Sequence, residues 1–170
     1  WVQEQPHAFY LISMVVGKFD ITDVSTSSLP MPVYTPPGTA ADARATFART
    51  PEMIAFFGSI LDEPYPWDKY AQVMVRDFSA GGMENTSCTF LTVGTSRAGE
   101  AGSRDDLISH ELAHQWFGDL ATCKTWAHLW LNEGWATYCE ALWDEHKAAD
   151  EATGAAKADA GRRAYLATVM

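Results

Sequence analysis

The sequence predicts an α+β chain, a mixed-sheet lobe followed by a helical lobe, and three observations carry that prediction. Short apolar or alternating runs bounded by Gly, Pro and Ser fill much of the first half. Runs with apolar residues three and four apart dominate the second half. Of 170 residues, 47% are hydrophobic and 12% aromatic, enough to bury a sizeable core and to exclude a disordered chain. The expected divisions are residues 1–20, a sheet lobe over 21–102 and a helical lobe over 103–170.

Taken in order, residues 8–19 read as a strand. A Ser/Thr/Pro-rich stretch over 22–38 reads as a linker with a short strand near 31–34, and the domain proper is expected to start after it. Residues 42–61 suit a helix despite Pro51, with Phe47, Ile54, Phe57 and Ile60 on its apolar side, and Asp62-Glu63-Pro64-Tyr65-Pro66 ends it. Residues 70–78 alternate like a strand and 88–93 form another; together they flank Gly81-Gly82-Met83-Glu84-Asn85 on a mixed sheet.

A polar loop over 97–102 leads to Ser103, which with Asp106 reads as a capping box. The helix it opens has Leu107, Ile108, Leu112, Trp116 and Phe117 as apolar positions. A second helix is expected over 132–146 with Asn132 as its N-cap. Residues 148–170, rich in alanine and charge, suit one or two solvated helices. There are no internal repeats.

Net charge is −10, from 12 basic and 22 acidic residues, which argues against nucleic acid or an anionic membrane as partner. Cys88, Cys123 and Cys139 are odd in number and widely spaced, so neither a disulfide framework nor a thiolate metal site is indicated. The apolar run over 8–16 is too short to span a bilayer, and no transmembrane segment or signal peptide is visible; compartment is left open.

The helix over 103–117 carries His110-Glu111-Leu112-Ala113-His114, and eighteen residues separate His114 from Glu133 in Leu-Asn-Glu-Gly. Residues four apart on a helix share a face, so both imidazoles can meet one metal while Glu111 points to the adjoining side. A catalytic zinc site needs three protein ligands and an open position, and Glu133 from the second helix completes a two-His-one-Glu set. Glu111, too far round the helix to ligate, can take a proton from the metal's water and pass it to a leaving amine. Two histidines and a glutamate brought together without a metal would be costly to desolvate. Glu140 lies seven residues past Glu133 on the same face, either orienting a ligand imidazole or forming solvated surface. Asp119 reads as a helix-end or turn residue, His128 falls outside the motif spacing, and His7 and His146 read as surface.

The pair Gly81-Gly82 lets the backbone approach a bound peptide closely, and Glu84 at the end of such a segment can pair with an ammonium group. A polar hairpin is the competing reading of that segment taken by itself.

Gly-Gly-Met-Glu-Asn ahead of His-Glu-Leu-Ala-His-Gln-Trp-Phe-Gly-Asp-Leu and Leu-Trp-Leu-Asn-Glu-Gly-Trp-Ala-Thr-Tyr resembles, in order and spacing, the M1 family of zinc aminopeptidases. The resemblance covers essentially the whole chain. It implies a thermolysin-like zinc metallopeptidase catalytic domain acting on peptides with a free N-terminus. His110, His114 and Glu133 would hold one Zn2+, Glu111 would be the general base and Glu84 would bind the free amine. Gly81, Gly82, Met83 and Asn85 would lie along a substrate that adds to the sheet edge.

It further implies a fragment. Family members are several times longer, so residues 1–20 resemble the end of an N-terminal β-sandwich, and helical parts would follow Met170. The transition-state tyrosine is expected beyond Met170 and another amine-binding residue before Trp1; Tyr138 is assigned to packing and Tyr165 lies too near to match. Two alternatives stand beside this reading: an epoxide hydrolase of the leukotriene A4 hydrolase type, and a truncated zinc-binding module with little activity.

Overall fold

The computed structural model describes residues 2–76, 78–93, 104–152 and 157–169, the side chains of 157 and 158 excepted. Five strands form one mixed sheet: β1 (Asp20–Asp23), β2 (Pro32–Thr35), β3 (Ala71–Val75), β4 (Gly82–Met83) and β5 (Cys88–Thr92). Their order across the sheet is β1-β2-β3-β5-β4. The β2–β3 and β3–β5 pairs are parallel, and β1–β2 and β4–β5 are antiparallel. The helices are α1 (Ala40–Thr46), α2 (Thr50–Ile60), α3 (Asp105–Ala113), α4 (Trp130–Glu151) and α5 (Lys157–Val169).

The short strand expected near 31–34 is β2, and the sheet starts earlier than the linker reading of residues 22–38 expects, since β1 also enters that stretch and pairs with β2, Asp20 with Thr35 through Asp23 with Pro32. The strand expected over 8–19 is absent. Phe9–Leu11 forms a 3-10 turn instead, and Phe9, Met14 and Val16 are each at least 85% exposed. An apolar run can supply a strand's side chains, but a strand also needs a ladder partner, and among the described residues none pairs with this segment.

Residues 42–61 form two helices, not one. Pro51 has no N–H to donate and cannot sit inside a continuous helix, so the chain breaks after Thr46 and restarts with Pro51 in the first turn of α2. Phe47, Ile54 and Phe57 are buried as expected, whereas Ile60 is 44% exposed. All five residues of β3 are buried, because this central strand is covered on both faces; the expected alternation is overturned for that reason.

On one face of the sheet, Met31, Val33, Tyr70, Met74 and Leu91 join Phe47, Phe57, Ile108, Leu112, Trp116 and Trp143 from the helices in the main core. On the other, Val73, Val75 and Phe90 form a smaller cluster with Phe19, Tyr34 and Met83 against it. Helices α3 and α4 pack together, and buried Asp105 at the start of α3 meets Lys147 of α4 at 3.3 Å. Helix α5 packs along α4. Arg104 occupies the cap position of α3 without a side-chain cap; Ser103, the expected cap, and the loop over 97–102 lie outside the described residues. Among the described residues no helix is long and apolar enough to cross a membrane.

Candidate active site

His114 caps the C-terminal end of α3, one turn after His110, so the two rings stand on one face and meet edge to face with centroids 4.8 Å apart. Each ring is fixed through its Nδ1. That of His110 lies 2.6 Å from Glu140 Oε1, and that of His114 lies 2.9 Å from the carbonyl of Phe117. With Nδ1–H donating on both, each Nε2 is left for another partner. The two Nε2 atoms are 3.1 Å apart, and Glu133 Oε2 lies 3.3 Å from one and 3.4 Å from the other.

That triangle fits a metal. Bonds of about 2.0–2.1 Å in tetrahedral geometry put ligand atoms about 3.3 Å from one another. The three donors, two imidazoles and a carboxylate, are the chemistry zinc takes. Glu140 is half-buried against His110, on the side away from the triangle, in the arrangement that orients a ligand ring.

The charges follow from this packing. Burial opposes a charge on His110, but hydrogen bonds to Glu133 and Glu140 overcome it and raise the ring to about 10. The same bonds, from His110 and then His114, hold Glu133 well below the usual carboxylate range. Glu111 is 5% exposed, and one of its oxygens is buried without a partner. Burial pushes it up to about 7, opposed by the two histidines and aided by the charges of Glu84 and Glu133.

Gly82 explains why Glu111 can stand there. A Cβ at Gly82 would run into the Glu111 carboxylate, so edge strand β4 passes the helix with no room for a side chain. A Cβ at Gly81 would meet only Leu107, at ordinary contact distance, so the two glycines are not equivalent. Met83 is half-buried and pairs with Phe90 of β5. Glu84 follows at the end of the edge, buried, and one of its oxygens, one of Glu111 and a ring nitrogen of His114 all lie within 4.8 Å of one another. Asn85 donates from Nδ2 to the carbonyl of Leu11 at 2.9 Å, tying the N-terminal segment to this corner. An open cleft runs past Gly81, Gly82, Leu107, His110, Glu111 and Glu140.

Several residues differ from their sequence reading. Asn132 lies inside α4, which starts at Trp130, and its buried amide donates to the Tyr10 hydroxyl at 3.2 Å instead of capping. Asp119 is in a turn, as expected, but 3% exposed, and burial followed by the charge of Glu84 pushes its carboxyl to about 9. An Asp after a Gly is so common in turns that the sequence carried no signal of this. His146 is at the surface, as expected, with its side chain 36% exposed, but it also stacks on Phe56 at 4.3 Å and lies 3.3 Å from Glu52. His128 is exposed and outside the cluster. Tyr138 packs edge-on against Trp135 and Tyr165.

Known proteins resemble the chain over most of its length. The family described as the Peptidase family M1 domain matches residues 45–166. The chain is 38% identical over 143 residues to Aminopeptidase N of Streptomyces lividans, covering 78% of this chain and 17% of that protein. It is 36% identical over 141 residues to Aminopeptidase M1-C of Oryza sativa subsp. japonica, covering 78% and 16%. Against Aminopeptidase Ey of Gallus gallus it is 34% identical over 142 residues, covering 78% and 15%. The chain thus spans about a sixth of the length of the curated relatives it matches.

Proposed function

The chain belongs to peptidase family M1, and from that premise we propose that it carries the core of a zinc-dependent aminopeptidase removing N-terminal residues from peptides. The observation that supports this most is the triangle of His110 Nε2, His114 Nε2 and Glu133 Oε2, with Glu111 and Glu84 beside it. In this reading the fold is thermolysin-like, residues 1–20 are the passage from a preceding domain, and the remaining domains belong to the same polypeptide.

His110, His114 and Glu133 would hold a zinc ion, which would supply Lewis-acid chemistry for the scissile carbonyl and the attacking water. Glu111 takes the proton of the attacking water and hands it to the leaving amine. Glu84 pairs with the α-ammonium and fixes the register at one residue. The short edge strand β4 offers main-chain groups to an extended substrate, and Gly81 and Gly82 let it approach. Glu140 orients His110 from behind. The epoxide-hydrolase alternative finds no observation in its favour, since the relatives matched bear aminopeptidase names.

The test is hydrolysis of an aminoacyl amide and of the same compound N-acetylated by the zinc-loaded chain, with Glu111→Gln as blank. Cleavage of the free-amine compound alone is the expected result. Equal cleavage of both would reject the role of Glu84, and no cleavage above the blank would reject an active peptidase in this chain.

A further inference from the structure

We propose that Gln115 is a positioning residue that sets the distance between the metal and the amine anchor, so that the site measures one residue from a peptide's N-terminus. The inference rests on the reading of Glu84 as that anchor. Strand β4 has only two residues, and its ladder to β5 pairs Gly82 with Leu91 and Met83 with Phe90, stopping before Glu84. The main chain of Glu84 is held by another element: Gln115 Nε2 donates to the Glu84 carbonyl at 3.1 Å.

The same carboxamide reaches further along the segment. Its Oε1 accepts from the Ser87 N–H at 2.8 Å and from the Tyr65 hydroxyl at 3.3 Å. Ser87 has φ 60, a left-handed conformation that a non-glycine residue keeps only where its surroundings dictate it. The Gln115 bond is one such constraint, and Ser87 in turn passes its carbonyl to the Ala71 N–H at 2.9 Å, locking the turn to β3.

At its other end Gln115 cannot move. It is 0% exposed, its carbonyl accepts from Trp67 Nε1 at 3.3 Å, and it directly follows His114, whose ring is fixed to Phe117. One side chain therefore joins a metal ligand to the backbone of the anchor. A free amine and the first scissile carbonyl are separated by a single α-carbon, so a shift of about 1 Å between anchor and metal is enough to lose about a hundredfold in a positioned reaction. An apolar replacement would leave the buried Glu84 carbonyl and Ser87 N–H without partners, and the turn would relax to satisfy them.

The experiment measures, by calorimetry on the zinc-loaded chain, the binding of leucine hydroxamate and of N-acetyl-leucine hydroxamate to wild type, Gln115→Met and Gln115→Glu. Wild type is expected to favour the free amine. Gln115→Met should lose about tenfold to a hundredfold of that preference, with zinc content and affinity for the acetylated compound unchanged. Gln115→Glu keeps an acceptor for Ser87 and fails only at the Glu84 carbonyl, so it should fall between. Full preference in Gln115→Met, or equal losses for both compounds, overturns the proposal in favour of a purely structural role. If Gln115→Met does not fold, an undiminished preference in Gln115→Glu overturns it. No preference in wild type rejects Glu84 as the anchor, a separate failure that removes the basis of the proposal.

Discussion

The two halves of the candidate site are held by different means. In the metal half, His110, His114, Glu133 and Glu140 stand on two helices packed side by side, and each imidazole is fixed through its far nitrogen. In the half proposed to hold the amine, Glu84 directly follows a two-residue edge strand and depends on Gln115 and, through Asn85, on the carbonyl of Leu11. The charges divide the same way. Hydrogen bonds hold Glu133 well below the carboxylate range, while burial lifts Asp119, near Glu84, to about 9. Hydrogen-bonded partners favour the charged form of a carboxyl, and burial without enough of them favours the neutral form.

Glu111 belongs to both halves, and breaking it should have the largest effect. Glu111→Gln is expected to lower turnover by about 10²–10⁴-fold while zinc stays bound, checked by paired rate and metal-content measurements. Gly82→Ala attacks the same point from the strand. The added methyl meets only the far end of a flexible side chain, so thermal stability should hold while the displaced Glu111 costs about a hundredfold in rate. A wild-type rate in that variant would show that the close approach of β4 does not matter.

Glu140→Ala should affect the metal half alone. Loss of the partner to His110 is expected to weaken zinc affinity by about tenfold to a hundredfold, measured by competition with a chelator, with any loss of rate restored by excess zinc. An unchanged affinity would make Glu140 ordinary surface. The smallest effect is a pH dependence. His110 in the metal-free protein is raised from 6.5 to about 10, so its bound proton stabilises the fold fully below about pH 6.5, and that contribution is lost as pH rises toward 10. Zinc needs the ring deprotonated. The rise in Tm on adding zinc should therefore grow across this window, and a constant rise would reject His110 as a ligand.

The same division governs how much could be read in advance. The spacing of His110 and His114 was enough to put two ring nitrogens together, because a helix returns to the same face every three to four residues whatever surrounds it, whereas Glu133 meets them only because α4 packs on α3. The mixed sheet and the place of Glu84 at its edge were legible too, from short apolar runs on either side of Gly81-Gly82. The break at Pro51 was visible in the sequence but outweighed by the apolar period around it, and the restart of α2 shows the missing N–H winning over that period. The run over 8–19 misled because apolar side chains do not by themselves give a strand a neighbour.

The sequence by itself determined the residue types of the candidate site, the common face of His110 and His114, the carboxyl of Glu111 beside them and the acidic Glu84 carried by a glycine-rich edge. These follow from chemistry and from the local period of the backbone. Only the tertiary structure decided that Gly82 makes room for Glu111, that Asp119 is buried, that Asn132 bonds Tyr10 and that Gln115 spans the two halves. The Gly82, Asn132 and Gln115 contacts join residues about thirty to more than a hundred positions apart, and the burial of Asp119 likewise depends on what packs over it. No local period encodes such separations, so packing alone brings them together.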